Sequence, residues 1–413
     1  MATADLLAFD QPVAPAASSA LSGGSVTVRV THRLDEVEAI WRGLAAGPIE
    51  SPGQDFGFTR LWIETLGIAQ SDQIYVSALE GETPLALFAL HRHRTAGVRV
   101  LSWFPGAHVG CNAPLVDRAR LATMTPDERR SLWRQMLAGI RGADLVHLKS
   151  VPRLVVDGVE IFAELGQSIT ADTLYRAAFV SFEDADSTQR NKSRRKHDRQ
   201  QGDKLAAMGP IEFDTLDNGA AAEAALDVLL RQRALRFREM GVADPFATPA
   251  IRAFYQSTVR SGSGVHVKLH VLKLKGEVIA MRYNIVAGDR LFCLISSMSE
   301  DERLRPGSPG KQCLLRVMQS VFAEGYRVFD MGEGLTDEKR HWCNVQVPVD
   351  DRYVPISVIG GLAASTHRGF LMARTHIKSD PRLLAVVKKA RGIILGLTRR
   401  RDGAAAQLPS GDE

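Results

Sequence analysis

Several kinds of feature are scarce in this sequence, and each scarcity excludes something. Its four cysteines, Cys111, Cys293, Cys313 and Cys343, lie far apart with no CxxC pair. That spacing predicts neither a zinc site nor a disulfide framework, and it fits reduced thiols in the cytoplasm. No apolar run approaches the roughly 20 residues that span a bilayer. Neither sign of charge dominates: 52 Lys and Arg against 47 Asp and Glu leave +5, which permits an anionic ligand without arguing for nucleic acid. Residues 1–24 lack a basic start and are rich in Ala, Ser, Pro and Gly, so they read as a disordered leader rather than a signal peptide.

What is present is one order of elements that occurs twice. The chain of 413 residues, 45% hydrophobic and 24% charged, is long for a single core, so two domains are expected. In the first half the pattern predicts a strand at 26–30, helices near 34–44 and 56–66, a strand meander over 74–104, a helix at 126–140 and a strand at 145–151. In the second half, helices near 220–240 and 249–259 precede a meander over 265–298. Val265, Val267, Leu269 and Val271 alternate there with His266, Lys268 and His270, which predicts a half-buried antiparallel sheet with turns at Lys275-Gly276 and Gly288-Asp289. His266 and His270, like His91 and His93, read as solvated strand residues, because no carboxylate or third histidine stands at ligand spacing; no metal is expected.

The stretch Arg303–Trp342 carries the most chemistry. Ser308 suits an N-cap, Pro309 the first helical position, and Gly310 lets a ligand approach the backbone. Gly307, Ser308, Gly310 and Lys311 are therefore the candidate pyrophosphate cradle. Cys313, Leu314, Val317, Met318, Val321 and Phe322 recur at helical spacing, and Gly325 ends that helix. A short strand is expected at Tyr326–Asp330, broken by Gly332 and Gly334 at its carboxyl end, where ligand crevices lie beside parallel strands. The first-half counterpart opens Thr125-Pro126-Asp127-Glu128, and its two carboxylates would repel a dianion. The cofactor is thus assigned to the second half, and the first half is expected to shape the acceptor groove.

Between the halves, Arg190, Lys192, Arg194, Arg195, Lys196, Arg199 and Lys204 stand on a predicted helix interrupted only by Gly202. They suit either a grip on phosphates or an anionic polymer, or a solvated linker helix. No aromatic interleaves them, which argues against single-stranded nucleic acid.

Ser308-Pro309-Gly310, then Phe329-Asp330-Met331-Gly332-Glu333-Gly334, then Lys339 and Trp342, together resemble the GNAT acetyltransferases. The closer likeness is to the CelD/BcsL-type, or BioF2-like, acetyltransferases, which are similar to Fem-type aminoacyltransferases with two GNAT-like domains in tandem. Ser193-Arg194-Arg195-Lys196, Gly209-Pro210-Ile211, Pro52-Gly53-Gln54 and Trp62 also fit, so the resemblance covers about residues 27 to 345. The sequence departs from that family at Glu338, where an aromatic usually precedes the lysine. It departs again in the loop from Arg305 to Gly310, whose spacing differs from the general GNAT pattern.

The resemblance implies an α/β (α+β) fold of tandem GNAT-like domains, with mixed sheets flanked by helices. The expected boundaries are a leader at 1–24, a degenerate domain at 25–182, the basic linker at 183–208, an acyl-CoA-binding domain at 209–360, and helices with a basic tail at 361–413. It also implies an N-acetyltransferase that takes an acyl group from acetyl-CoA or another acyl-CoA. Asp330, Glu333 and Lys339 are the catalytic candidates, and Gln54, Trp62, Arg194 and Arg195 the acceptor-side candidates. As a base, either carboxylate would need partial burial or a bridging water; Asp330 could equally order the Gly332 turn. The implied acceptor is an amino sugar or an exopolysaccharide precursor. Two alternatives stay open: an aminoacyl-tRNA donor, suggested by the basic linker, and a non-catalytic or effector-gated module that binds an anionic ligand. Finally, Lys388, Lys389, Arg391 and Arg399–Arg401 flank apolar residues, which suits either docking on an anionic inner-leaflet surface or a surface helix with a disordered tail.

Overall fold

The computed structural model describes residues 26–379; the expected leader and the tail beyond 379 lie outside the described residues. The first half comprises β1 (Val26–Thr31), α1 (Glu38–Ala45), α2 (Phe56–Leu66), β2 (Gln73–Glu80), β3 (Thr83–Thr95), β4 (Val98–Trp103), β5 (Leu115–Val116), α3 (Arg118–Thr123), α4 (Pro126–Ala138), β6 (Leu145–Pro152), the small pair β7 (Val155–Val156) and β8 (Val159–Glu160), and β9 (Gln167–Ala178). After α5 (Phe182–Gln189) and α6 (Lys192–Ala206) come β10 (Ile211–Asp217), α7 (Ala220–Met240), α8 (Pro249–Thr258), β11 (Val267–Leu274), β12 (Glu277–Ala287), β13 (Arg290–Met298), α9 (Pro309–Ala323), β14 (Val328–Glu333), α10 (Asp337–Trp342), β15 (Val345–Pro355) and α11 (Val358–Ser379). The fold is mixed α/β, a large mixed sheet flanked by helices.

That sheet has 13 strands in the order β1-β2-β3-β4-β6-β15-β9-β14-β13-β12-β11-β10, with β5 beside β3. The order is a near palindrome. Each half supplies an antiparallel meander followed by a strand parallel to its last member, β6 beside β4 and β14 beside β13. The final strands are exchanged: β9, from the first half, pairs with β14, while β15, from the second, pairs with β6. β9 and β15 pair with each other at the centre. Local geometry fixes the hairpins, as at Lys275 and Gly276, both at positive φ (53° and 79°), the requirement of a two-residue I′ turn that matches strand twist.

The helices α1, α2, α7 and α8 share one apolar core that crosses between the halves. Phe254 of α8 sits edge-on against Phe58 and Trp62 of α2, with ring centroids 5.0 and 4.9 Å away. On other sheet surfaces, α4 packs through Leu132, Trp133 and Met136, and α9 through Leu314, Val317, Met318 and Val321.

Coverage of both sheet surfaces corrects the half-buried expectation for the second meander, since Val267 to Leu272 are all buried. His270 is fully buried rather than solvated. It stacks on Phe213 and its Nδ1 meets Asn284 Nδ2 at 3.0 Å, while burial lowers its pKa to about 4. His91, part-exposed, stacks on Phe104, and burial likewise takes its pKa to about 4; His93 is also part-exposed, and His266 is exposed as expected. The single linker helix expected at 183–208 is two helices, α5 and α6, and the strand expected at 326–330 is β14, which runs over 328–333.

Candidate active site

The parallel pair β13/β14 is short. Arg290, Leu291 and Phe292 lie opposite Val328, Phe329 and Asp330; beyond Phe292 the strands diverge, and β14 continues along β9. A bulge between Asp330 and Glu333 marks the divergence. The short helix α10 lies close by. Its Lys339 is buried, and Nζ donates to the carbonyls of Gly332 (3.2 Å) and Glu333. Desolvation lowers the Lys339 pKa. The ammonium therefore ties α10 to the end of β14 instead of projecting freely into solvent.

At the start of α9 the chain forms a pocket of about 160 Å³, lined by Gln232, Arg233 and Arg236 of α7, Met281 and Arg282 of β12, Ser296 to Met298 of β13, Glu300, Gly310, Cys313 and Glu338. That volume is below the roughly 300–1,000 Å³ of sites that enclose a drug-sized ligand, so it suits one end of a larger molecule. Arg282 is buried and its Nη2 lies 2.7 Å from Glu338 Oε2. Arg233 donates through Nη1 to the Ser296 carbonyl, and Arg236 lies 3.5 Å from Glu300. The Arg233 Nε is buried with no hydrogen-bond partner among the described residues. The neighbouring Cys313 thiol is pushed up to about 12 by burial and is no nucleophile at neutral pH.

Gly310 opens α9 beside this pocket. A Cβ there would meet only the end of Met298, at 3.4 Å, and the Glu338 carboxylate, at 4.0 Å, so the backbone is open to close approach. No acidic residue stands in the first turn of α9, and first-turn amides lack intrahelical partners. The N-cap expectation for Ser308 is corrected. Ser308 is left-handed (φ 48°, ψ 63°), makes no capping bond, and its Oγ accepts from Gln201 Nε2 at 2.7 Å. Gly307 serves packing: a Cβ would fall 2.3 Å from Leu205 Cγ, so this glycine lets α6 approach. Lys311 has a partner, since its Nζ lies 3.1 Å from Asp337 Oδ2.

Asp330 is 3% exposed and spends both oxygens on the fold. Oδ2 accepts from Arg176 Nε at 2.7 Å, and Oδ1 from the Gly332 amide at 2.8 Å, holding Gly332 at φ 76°. Arg176 also meets Glu50 at 2.7 Å, and the same Glu50 contacts Arg118 at 3.0 Å and Arg290 at 3.2 Å. Despite burial, these three cations keep the Glu50 pKa below its ordinary value. Of the two readings open for Asp330, this geometry matches the one that orders the turn. Glu333 differs. Burial, opposed by a hydrogen bond from the Ser150 side chain and reinforced by Asp172 and Asp351, raises its pKa, and its Oε1 is buried without a hydrogen-bond partner among the described residues. A carboxylate whose pKa is raised is a better proton acceptor than an ordinary one.

None of the acceptor-side candidates lines this pocket. Gln54 is buried and bridges the Glu50 amide and the Pro114 carbonyl at 2.6 and 2.8 Å. Trp62 is a core residue between α2 and α8. Arg194 and Arg195 are matched by carboxylates of the same chain, Arg194 by Asp198 and Asp337 at 3.6 Å each and Arg195 by Asp186 at 2.7 Å. Arg190 is buried between Asp186, Asp198 and the Trp342 ring. The basic stretch therefore offers less free charge than its composition suggests. Among the described residues, no group of three or more His, Cys, Asp or Glu is placed to hold a metal ion, and no helix is long and apolar enough to cross a membrane.

Sequence reasoning missed Arg233, Arg236, Arg282, Arg176 and Glu50. The i, i+3 spacing of Arg233 and Arg236 on α7 was an available signal. The other three are single charged residues whose meaning arises only from pairing across the sheet.

A comparison with curated proteins finds no match. Among solved structures, the chain is similar to the C-terminal domain of a putative lysylphosphatidylglycerol synthetase from Agrobacterium fabrum, with 12% identity, a TM-score of 0.47, and 81% of this chain and 96% of that chain covered. It is also similar to FemX, at 10% identity and a TM-score of 0.47 over 73% and 97% of the two chains. A third is a tandem GNAT protein from the clavulanic acid biosynthesis pathway, at 14% identity and a TM-score of 0.43 over 81% and 99%. Residues 192–340 match the family model of an acetyltransferase (GNAT) domain, so the acetyltransferase-type fold lies in the half of the chain that holds the pocket at the start of α9.

Proposed function

We propose that the protein is an N-acyltransferase of the CelD/BcsL type, working in the cytoplasm, that moves an acyl group from acetyl-CoA or a related thioester to an amine. The observation that carries this reading is the pocket at the start of α9, where Gly310, Arg233 and Arg236 meet beside a helix start free of its own carboxylates, within the span that matches a GNAT domain. The phosphate-bearing end of the donor would be held by the helix amides and by Arg233, Arg236 and Lys311. The thioester would lie along the edge of β13 past Phe292, where β14 no longer pairs.

In the reaction the amine nitrogen bonds to the thioester carbonyl carbon, the carbon–sulfur bond breaks, and CoA leaves as a thiolate that takes up a proton. The ammonium proton must be removed first, and Glu333 is the group suited to it: burial raises its pKa and leaves Oε1 unpartnered. Asp330 would act through the Gly332 turn, and Lys339 by holding the Gly332 and Glu333 carbonyls. The acceptor, from the likeness of the sequence, is an amino sugar or a polysaccharide precursor.

Calorimetry with acetyl-CoA, together with thiol release in the presence of glucosamine, tests this. Binding should weaken at least about tenfold in Gly310→Asp, which puts a carboxylate at the helix start. Absence of binding, or full affinity in that variant, would overturn the reading. The second reading, a module that binds the donor without transfer, is favoured by the engagement of Asp330 and Lys339 in backbone bonds. Thiol release that disappears in Glu333→Gln while acetyl-CoA still binds would exclude it.

A further inference from the structure

The helix α11 docks by one face and leaves the other bare. Gly360 approaches so closely that a Cβ would fall 1.7 Å from the Asp144 carbonyl oxygen. Ala364 is buried on the same side, and His367 Nδ1 lies 2.8 Å from the Tyr353 hydroxyl. The spacing 360, 364, 367 is the stripe of a helix seated on a sheet. Elsewhere on the helix, Val358 is 91% exposed, Ile359 61%, Leu362 71%, Phe370 62% and Met372 53%. No other element concentrates exposed large apolar side chains in this way among the described residues.

The charge of this part of the chain says what the bare surface faces. Between Val358 and Arg401 the sequence has ten Lys and Arg and a single acidic residue, Asp380. The segment thus holds +9 against +5 for the whole chain, so all other residues together sum to −4. A second copy of the chain docked on α11 would bring two such segments together. The chain's own residues beyond 379 would leave the charge unanswered, since they carry most of it. An anionic bilayer surface answers both properties at once, taking the apolar side chains at the depth of the headgroups and attracting the basic ones. Among the described residues no helix is long and apolar enough to span a bilayer, and a helix with one bare apolar face beside basic residues suits an in-plane contact.

We infer that α11 seats the protein on an anionic phospholipid surface through its bare apolar face. The inference is independent of the acyltransfer reading.

The test uses the full chain and sedimentation with vesicles of phosphatidylcholine alone or mixed with phosphatidylglycerol. Partition onto the anionic vesicles is expected, falling steeply with added salt, with little onto pure phosphatidylcholine. The double variant L362E/F370E should lose at least about tenfold in partition while its melting temperature stays unchanged, because both side chains are exposed. No partition onto anionic vesicles would overturn the proposal. Equal partition by the double variant would also overturn it, leaving the basic segment alone as the anchor. So would a dimer, seen by light scattering, that the double variant dissolves.

Discussion

The two halves solve the same structural problem at the start of corresponding helices, and they do so in opposite ways. In α4, Thr125 accepts from the Glu128 amide, and the Glu128 carboxylate accepts from the Thr125 amide at 2.7 Å, a reciprocal capping box. The donors at that helix start are satisfied from within, and two carboxylates stand over them. In α9 the preceding residue is left-handed and gives no cap, the first turn has no acid, and Gly310 opens the backbone to a pocket. A capped helix start is stable and closed to anions; an uncapped one forgoes roughly 1 kcal/mol and stays open to them. The difference marks the start of α9, and not that of α4, as open to an anion, and four substitutions or conditions probe it.

The largest effect is expected where the comparison stops applying, at the charges that join the halves. Glu50 of the first half is 2% exposed and faces Arg118, Arg176 and Arg290, while Arg176 also holds Asp330 of the second. Glu50→Ala leaves three guanidinium groups with a common counter-charge removed, and should cost about 3–5 kcal/mol. Urea unfolding followed by tryptophan fluorescence measures it. A loss below about 1 kcal/mol, or two separated transitions, would mean that the halves are held together by the apolar core alone.

Next comes a pH effect that separates the two meanders. His270 is neutral in the fold and protonates freely once unfolded, so between its lowered value of about 4 and the ordinary 6.5 the unfolded chain binds more protons. Stability therefore falls as pH drops through that window, by about 2 kcal/mol at pH 5 for this residue. His91, in the first-half meander, acts in the same direction. Replacing His270 with Gln should flatten the pH dependence of the melting temperature but leave the contribution of His91. An unchanged slope would show that the second meander admits the charged imidazole.

Much of this frame was legible in the sequence because periodicity records burial. The meanders, α2, α7, α8 and the start of α9 came from apolar spacing and from Gly and Pro punctuation. The central strands β9 and β15 did not, because Arg176, Asp350 and Arg352 are buried there by ion pairs with distant partners, and alternation fails where charge replaces hydrocarbon. The same cause hid the role of Asp330: the motif marked the turn, but only the position of Arg176 shows where its carboxylate is spent. At 190–204 the charge of Arg190, Arg194 and Arg195 is answered in a way that composition does not show. Composition counted its cations, and the fold supplies Asp186, Asp198 and Asp337 against them.

A smaller effect follows from opening the first-half helix deliberately. Thr125→Ala removes the cap and should cost about 1 kcal/mol, read from the urea midpoint. It should create no second acetyl-CoA site in calorimetry, because Asp127 and Glu128 remain at the helix start. A second binding event would show that the cap alone distinguishes the halves.

The finest distinction lies in α10, which supplies to α9 from outside what α4 carries within. Asp337 holds Lys311 at 3.1 Å and lies 3.6 Å from Arg194, so a carboxylate competes with any anion for both cations. Its pKa is held low by the Lys311 hydrogen bond, which keeps it charged at neutral pH. Asp337→Asn retains the shape and removes the charge. Since Asp337 is about half exposed, the gain is limited by solvent to a few tenths of a kcal/mol up to about 1, or roughly a two- to fivefold tighter hold on acetyl-CoA at low salt. Screening should erase most of that gain by about 1 M salt. An affinity that does not rise would mean that Lys311 and Arg194 stand outside the reach of the donor, and would leave Arg233 and Arg236 as the cations that distinguish this helix start from its first-half counterpart.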